Sequence, residues 1–522
     1  MEFILTLASD NVDQVLNDPE HTARIVGTIT APALSPDPMV VTDGTFNLFS
    51  EDPAQVETRN MRYRMKMTTE AGKTYYFDGF KVIRNDPGVD LWPDTSTLYT
   101  TIHDGNSADS PVLGKGILTI DPIDFMRQVG TMQVRHADSL IDRLKTRVKF
   151  GKFFFGDLFD IYGGIFSKST IFDPDALPRK KRPLRVEAPH VYPFQTEDGV
   201  TLRLTRYRGG DKGPVMLIHG LGVSSLIFSL DTIDTNLLEF LYAQGYDVWL
   251  LDYRFSIDLP ASELQASADD VAKYDHPAAV AKVREITGAK DIQVVAHCLG
   301  SLTFFMSMLA GLQGVRSAVS SQVATHYEVP TITQLKAGLH LPEVLKTLGV
   351  DSLNAYVDTH ADWKERLLNT ALKVYPIQDE EHCKSPTCHR ISFMYGVLYE
   401  HDQLNAATHQ TLHETFGIAN MKVFDHLGRL TRTGSMVNFE GEDAYLPHVD
   451  RLKLPITFIH GEENETFLPE STRKTLAFLR EKNGKSLYKR HVIPDYGHID
   501  CIFGKNASKD VYPLILNHLE AT

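Results

Sequence analysis

The chain is 522 residues long, too long for one ordinary domain, and its 42% hydrophobic content supplies apolar surface for two cores. A formal net charge of −14 at pH 7 would repel a phosphate backbone over most of the surface, which argues against a nucleic-acid partner. Four cysteines are too few for a disulfide framework and point to a reducing compartment.

The first residues, Met1 to Asp10, carry no basic stretch ahead of their short apolar run. No segment approaches the length of a bilayer span, so a soluble, cytoplasmic protein without stable membrane insertion is expected. Residues 25 to 135 then read as β structure. Met61 to Met67 alternates apolar and basic residues with period two, Ala71-Gly72 makes a turn, and Thr74 to Val82 returns as the partner strand. Leu98 to Ile102 and Gly116 to Ile120 look like further strands. Residues 1–137 are therefore read as an accessory domain, a mainly antiparallel sheet or sandwich whose basic strand face is solvated.

Residues 138–189 read as a helical connector and linker. The aromatic run Phe150 to Phe155 asks for a packing partner. The stretch Pro174 to Pro189 carries Arg179-Lys-Lys-Arg182, a pattern shared by nuclear-import signals and by solvated charged linkers; the solvated linker is the reading adopted.

Residues 190–522 alternate strand and helix as a parallel sheet demands. Thr196 to Tyr207 forms a hairpin arm turning at Asp198-Gly199, and Val215 to Ile218 is a buried strand. That strand runs into His219-Gly220-Leu221-Gly222, the candidate oxyanion loop. Gly220 and Gly222 let the backbone approach a ligand closely, and the N–H of Leu221 can join that of Leu299 on a developing oxyanion. A helix at Leu237 to Gln244, a strand at Asp247 to Asp252 and a helix at Pro277 to Thr287 follow.

Asp291 to Gly311 is the centre of the chain. Ile292 to Val295 is a short buried strand, Leu302 to Leu309 a buried helix, and between them the chain turns sharply among small residues, Ala296 and Gly300. A side chain at such an apex is presented outward, and here it is Cys298. This is the nucleophile elbow of the α/β-hydrolase fold, with a thiol where serine is usual and Ala296 in the first glycine position. The alternative is a buried core thiol. The N–H groups of the helix end and a neighbouring histidine are expected to ionise the thiol.

After the strand Ala318 to Val323 the next convincing strand is Ile456 to His460, so about 325–450 is read as a helical cap, with Leu341, Val344, Leu345 and Leu348 on one helix face. Within it His382-Cys383, Cys388-His389, His401, His409 and His413 invite a zinc reading, but the spacing matches no standard motif and no metal is expected. Cys383 and Cys388 are read as pinning a cap loop. His498, on a loop after the last strand, is the expected base. Asn464 takes the acid's place in Gly461-Glu-Glu-Asn464, with Glu463, Glu465 and Asp500 as rivals. Asparagine can orient the ring in a cysteine enzyme, as in papain-like proteases.

Gly245 to Arg254, Tyr274 to Ala278, the elbow and His498-Ile-Asp500 resemble the acid lipase branch of the α/β hydrolases. The elbow cysteine is similar to that of dienelactone hydrolases and polyhydroxyalkanoate synthases, which implies lactone hydrolysis or acyl transfer. Asp43 to Phe49 and Asp90 to Asp94 look like the segment between flavin and hydrolase parts in cholesterol-oxidase-like fusion proteins, but no Gly-x-Gly-x-x-Gly fingerprint is present and no cofactor is expected.

The expected fold is thus α/β: a mostly parallel sheet with helices on both faces and a large helical cap, behind an antiparallel β domain. The expected activity is cleavage of an ester, lactone or thioester of a lipophilic or polyketide-like small molecule through an S-acyl-enzyme on Cys298. His498 would shuttle protons and Asn464 orient it. An acyltransferase using the same residues is the alternative, and a non-catalytic ligand-binding protein on this scaffold is the alternative from another class.

Overall fold

The structure, a computed structural model, describes residues 1–83, 97–119, 171–323, 325–331, 351–361 and 383–522, with shorter pieces at 133–134, 142, 145–146, 149–150, 333–334, 366, 369, 372 and 381. The chain divides into two compact units, Met1–Ser169 with Gln378–Lys384, and Thr170–Ile377 with Ser385–Thr522.

In the first unit β1 (Glu2–Ala8), β2 (Thr22–Thr30), β3 (Met39–Glu51), β4 (Arg59–Thr68), β5 (Thr74–Ile83), β6 (Thr97–His103) and β7 (Val112–Thr119) pair in chain order as one antiparallel sheet. The alternation in β4 sets its two faces: Met61, Met65 and Met67 are buried with Phe46 and Phe77, while Arg62 and Lys66 face out. Arg62 pairs with Asp78 across the sheet at 2.9 Å, so that basic face is partly neutralised from within. β1 had no counterpart in the pattern, because Ile4, 72% exposed, interrupts the alternation of Phe3, Leu5 and Leu7 on this edge strand. The residues Asp90 to Asp94, the aromatic run beyond Phe150 and the helix face at Leu341 to Leu348 lie outside the described residues.

The second unit is built on β8 (His190–Gln195), β9 (Thr201–Arg208), β10 (Pro214–Ile218), β11 (Asp247–Asp252), β12 (Ile292–His297) and β13 (Val315–Ser321). A small antiparallel pair follows, β14 (Ser352–Asn354) with β15 (Ile418–Asn420), and then β16 (Ile456–Gly461) and β17 (Tyr488–Ile493) complete the main sheet. The main sheet runs β17-β16-β13-β12-β10-β11-β9-β8, parallel from β17 to β11, with β9 and β8 antiparallel. Helices His276–Thr287, Leu299–Ala310, Glu470–Asn483 and Tyr512–Glu520 pack against it. β10 and β12 are neighbours although β11 lies between them in sequence. The carboxyl ends of these two strands therefore flank a topological switch point, where open parallel sheets form a crevice.

Every residue of β10, β11 and β12 is buried, as continuous apolar runs in a two-sided sheet require. The helix Leu299–Ala310 is buried along all but its last residue. Gly300 makes that packing possible, since a Cβ there would stand 2.3 Å from the carbonyl oxygen of His219. The residues Arg254 and Asp275 form a buried ion pair, Nε to Oδ1 2.9 Å.

The basic stretch read as a solvated linker is instead docked onto its own unit. Arg182 makes two hydrogen bonds to the Glu239 carboxylate, at 2.7 and 2.9 Å, and Arg179 two to Asp231, both at 2.7 Å. Fork-on-fork geometry of this kind is what guanidinium groups form with carboxylates, and composition cannot reveal the acidic partners.

Candidate active site

Cys298 sits between the last residue of β12 and the first of the helix Leu299–Ala310 with φ 55° and ψ −126°. A side chain with Cβ is strained there. The turn is held by its neighbours: the N–H of Cys298 donates to Ser321 O at 3.0 Å, and its carbonyl accepts from Leu302 at 3.1 Å. The backbone N–H groups of Leu299 and Leu221 lie close enough to Sγ to favour its thiolate form. The two N–H groups expected on an oxyanion thus converge on the thiol, one from each strand flanking the crevice.

Gly220 lines the cavity beside Cys298. Gly222 has φ +68°, and a Cβ on it would stand 2.0 Å from the Tyr395 hydroxyl, so only glycine lets this cap residue close over the loop. Tyr253, not singled out from sequence, braces the loop: its hydroxyl donates to the carbonyls of His219 and Gly220, both at 3.2 Å.

His498 follows β17 on a loop, and its backbone N–H donates to Leu398 O at 3.0 Å. Of the four residues considered as its partner, Asn464 is the one that meets the ring. His498 Nδ1 is 3.0 Å from Asn464 Nδ2 and 3.3 Å from Oδ1. The amide's orientation follows from its other bonds. Oδ1 accepts from the N–H groups of Thr466 and Phe467 at 2.9 and 3.0 Å, and Nδ2 donates to Gln322 Oε1 at 2.9 Å. Gln322, a residue the sequence did not point to, also accepts from Gly461 N–H at 3.0 Å and has φ 77° just after β13. Glu463 is exposed. Asp500 is buried and accepts the N–H groups of Gly497, Cys501 and Glu400.

Sγ lies within 4.8 Å of a ring nitrogen of His498 and of one of His297. His498 Nε2 is buried without a hydrogen-bond partner among the described residues, which leaves it available to a proton in the cavity. His297 precedes the elbow cysteine in sequence, yet its place beside His498, ring centres 5.0 Å apart, appears only in the fold. The three side chains offer one sulfur and two nitrogens, a donor set that could also hold a metal ion.

The expected ionised thiol is not found. Burial pushes Cys298 up to about 11, against the opposing pull of the Leu299 and Leu221 N–H groups. The surface that Cys298 retains opens into the cavity rather than to bulk water. Burial, with the neighbouring His297 and His460, likewise holds His498 well below the ordinary imidazole value. The resting pair is therefore a neutral thiol and a neutral imidazole, because the helix end offsets only part of the desolvation of a charged sulfur.

The cavity over Cys298 has a volume of about 160 Å³, and its walls are mainly apolar, with Leu302, Val323, Phe393, Met394, Phe424 and Leu427 among them. Phe393, Met394, Phe424 and Leu427 come from the segment between β13 and β16, the cap expected at about 325–450. The Tyr395 hydroxyl in this cavity is buried and has no hydrogen-bond partner among the described residues.

Among the described residues no helix is long and apolar enough to cross a membrane. The chain is similar to Lipase lipl-1 of Caenorhabditis elegans, 25% identical over 67% of this chain and 94% of that protein. It is also similar to a gastric triacylglycerol lipase of Mus musculus, 24% identical over 62% and 86%. Among solved structures, an esterase of Pyrococcus furiosus overlaps with a TM-score of 0.38 at 14% identity, covering 68% of this chain and 98% of its own. The family model for the alpha/beta hydrolase fold matches residues 213–505, the span that holds the candidate oxyanion loop, Cys298, Asn464 and His498. By that match over more than half its length, this chain belongs to the α/β-hydrolase family.

Proposed function

We propose that the protein cleaves an ester, lactone or thioester of a lipophilic or polyketide-like acyl substrate through an S-acyl-enzyme on Cys298. The observation that carries this reading is the convergence of the Leu221 and Leu299 N–H groups on Sγ, with His498 beside it. The lipases to which the chain is similar favour an ester of a lipid. In the first step the substrate carbonyl approaches Sγ, His498 Nε2 takes the thiol proton, and sulfur bonds to the carbonyl carbon. The oxygen gains the electron pair between the two N–H groups. Collapse expels the alcohol or thiol, which receives the proton from His498 and leaves the acyl group on sulfur. Water, deprotonated by His498, then attacks the thioester, the carboxylic acid departs and the thiol is restored. The Tyr395 hydroxyl is placed to bond the bound ester. Intact-mass measurement after mixing with a panel of acyl donors tests the reading: the mass should rise by the acyl group, and turnover without any such adduct would speak against it.

A second reading, transfer of the acyl group to an alcohol, amine or thiol, is favoured by the apolar walls around Cys298, which disfavour water. The ratio of hydrolysed to transferred product in the presence of small nucleophiles separates the two.

The neutral resting pair makes a prediction about pH. The base form of His498 persists to pH values below its ordinary range, so the acidic limb of kcat/KM should lie below the ordinary imidazole range. Alkylation of Cys298 by iodoacetamide should instead climb about tenfold per pH unit through the neutral range, because the thiolate fraction does. An alkylation rate flat from weakly acid to alkaline pH would mean that a thiolate–imidazolium pair already exists at rest.

The cap should set substrate choice. Phe393→Ala and Leu427→Ala are expected to change selectivity among acyl chain lengths, roughly ten- to a hundredfold in relative kcat/KM, while leaving the alkylation rate of Cys298 nearly unchanged. Equal effects on both readouts would assign the cap to support of the catalytic loops instead.

A further inference from the structure

Away from the Cys298 cavity, the segment between β13 and β16 gathers three soft ligand atoms in the protein interior. Cys388 lies in the first turn of the helix Pro386–Tyr395, His401 opens the short turn His401–Gln403, and His409 lies in the helix Ala406–Gln410. Their relative exposures are 2%, 9% and 5%. Sγ of Cys388 is 3.7 Å from His401 Nε2, and His401 Nε2 is 3.2 Å from His409 Nε2. All three ligand atoms lie within 4.8 Å of one another.

We propose that these three side chains form a site for a zinc-class ion. The distances carry the inference. A tetrahedral ion with Zn–N near 2.05 Å and Zn–S near 2.3 Å holds two nitrogens about 3.3 Å apart and a sulfur about 3.6 Å from a nitrogen. The observed 3.2 and 3.7 Å are those edges. A direct imidazole-to-imidazole hydrogen bond would account for the first distance but not for a thiol drawn to the same nitrogen.

The donor set, one thiolate with two imidazoles, suits zinc rather than magnesium or calcium. The Tyr399 hydroxyl donates to Cys388 Sγ at 3.0 Å, an outer-shell bond that favours thiolate, as does the helix N-terminus on which Cys388 stands.

Its place in the fold gives it a purpose. The segment it would pin, Leu398 to Gln403, holds the loop of His498. Leu398 O accepts the N–H groups of His498 and Ile499, Glu400 N–H donates to Asp500, Gln403 Nε2 donates to Asp495 O, and Gln403 O accepts from Lys505 N–H.

The test is metal analysis of the full-length protein purified under reducing conditions. Elemental mass spectrometry should find close to one zinc per chain, and cobalt exchanged for it should give thiolate-to-cobalt charge-transfer bands and the intense visible bands of a tetrahedral site. Cys388→Ser and His409→Ala should lose the metal, and Cys298→Ser should keep metal and spectrum intact. Because the last variant alters the other sulfur–nitrogen cluster, the experiment also says where the ion sits. Wild-type protein that carries no metal and gives no cobalt spectrum overturns the proposal, whatever the variants do. So does metal that survives Cys388→Ser and His409→Ala but is lost in Cys298→Ser.

Discussion

Replacing Cys298 by alanine is expected to abolish acyl-enzyme formation while leaving the protein folded. Alanine keeps the Cβ that the apex already carries at φ 55°, and the lost sulfur borders the cavity rather than the packed interior, so little packing is forfeited. Serine is the more informative substitute. Its hydroxyl is far harder to ionise than a thiol, and the group behind His498 is a neutral amide, which cannot stabilise an imidazolium as a carboxylate does. Cys298→Ser should therefore lose roughly a thousandfold or more in kcat/KM. Circular dichroism, intact mass with an activated ester and kcat/KM on the same preparations decide the matter. An alanine variant that turns over normally would remove Cys298 from the chemistry, and a fully active serine variant would mean that the site is an ordinary hydroxyl-nucleophile hydrolase.

The parts of this site that were legible in the sequence are those whose signal is local. The elbow is a strand, an apex and a helix in immediate succession, and the oxyanion loop is a strand end followed by two glycines. His498 and Asn464 each follow a strand that β-branched or apolar residues mark out. Gln322, Tyr253, His297 and Tyr395 were not legible, because each matters only through a residue distant in sequence. Gln322 meets Asn464 across 142 positions, and Tyr395 matters through its approach to Gly222. The same limit explains the error about charge. A helix N-terminus beside a cysteine is visible as pattern and lowers its pKa, whereas the depth at which that cysteine is buried is a property of the assembled cavity, and here burial is the larger effect.

Asn464→Ala should cost roughly ten- to a thousandfold in kcat/KM, whereas Glu463→Gln should cost little. The amide touches Nδ1 of His498 at both ends, Nδ2 at 3.0 Å and Oδ1 at 3.3 Å. It can donate to the ring when Nδ1 is bare and accept from it when Nδ1 carries the proton. It thus holds the ring's direction without choosing its charge, and the ion pair formed with sulfur during attack must supply the rest of the stabilisation. Alanine removes the support and leaves the Thr466 and Phe467 N–H groups without their acceptor, so loss of orientation and loss of local order act together. Asn464→Asp separates them. A carboxylate keeps the two backbone N–H bonds and adds a charge that raises the affinity of His498 for a proton, which should move the acidic limb of kcat/KM upward and restore part of the activity of Cys298→Ser. It also sets an anion against Gln322 Oε1, unless that amide turns over, so in the cysteine background the gain is smaller. The measurement is kcat/KM against pH for Asn464→Ala, Asn464→Asp and Glu463→Gln, and for Asn464→Asp combined with Cys298→Ser, on one activated ester. A silent Asn464→Ala with a crippling Glu463→Gln would mean that the exposed carboxylate turns inward to serve His498 and that the amide is only a brace for the loop after β16.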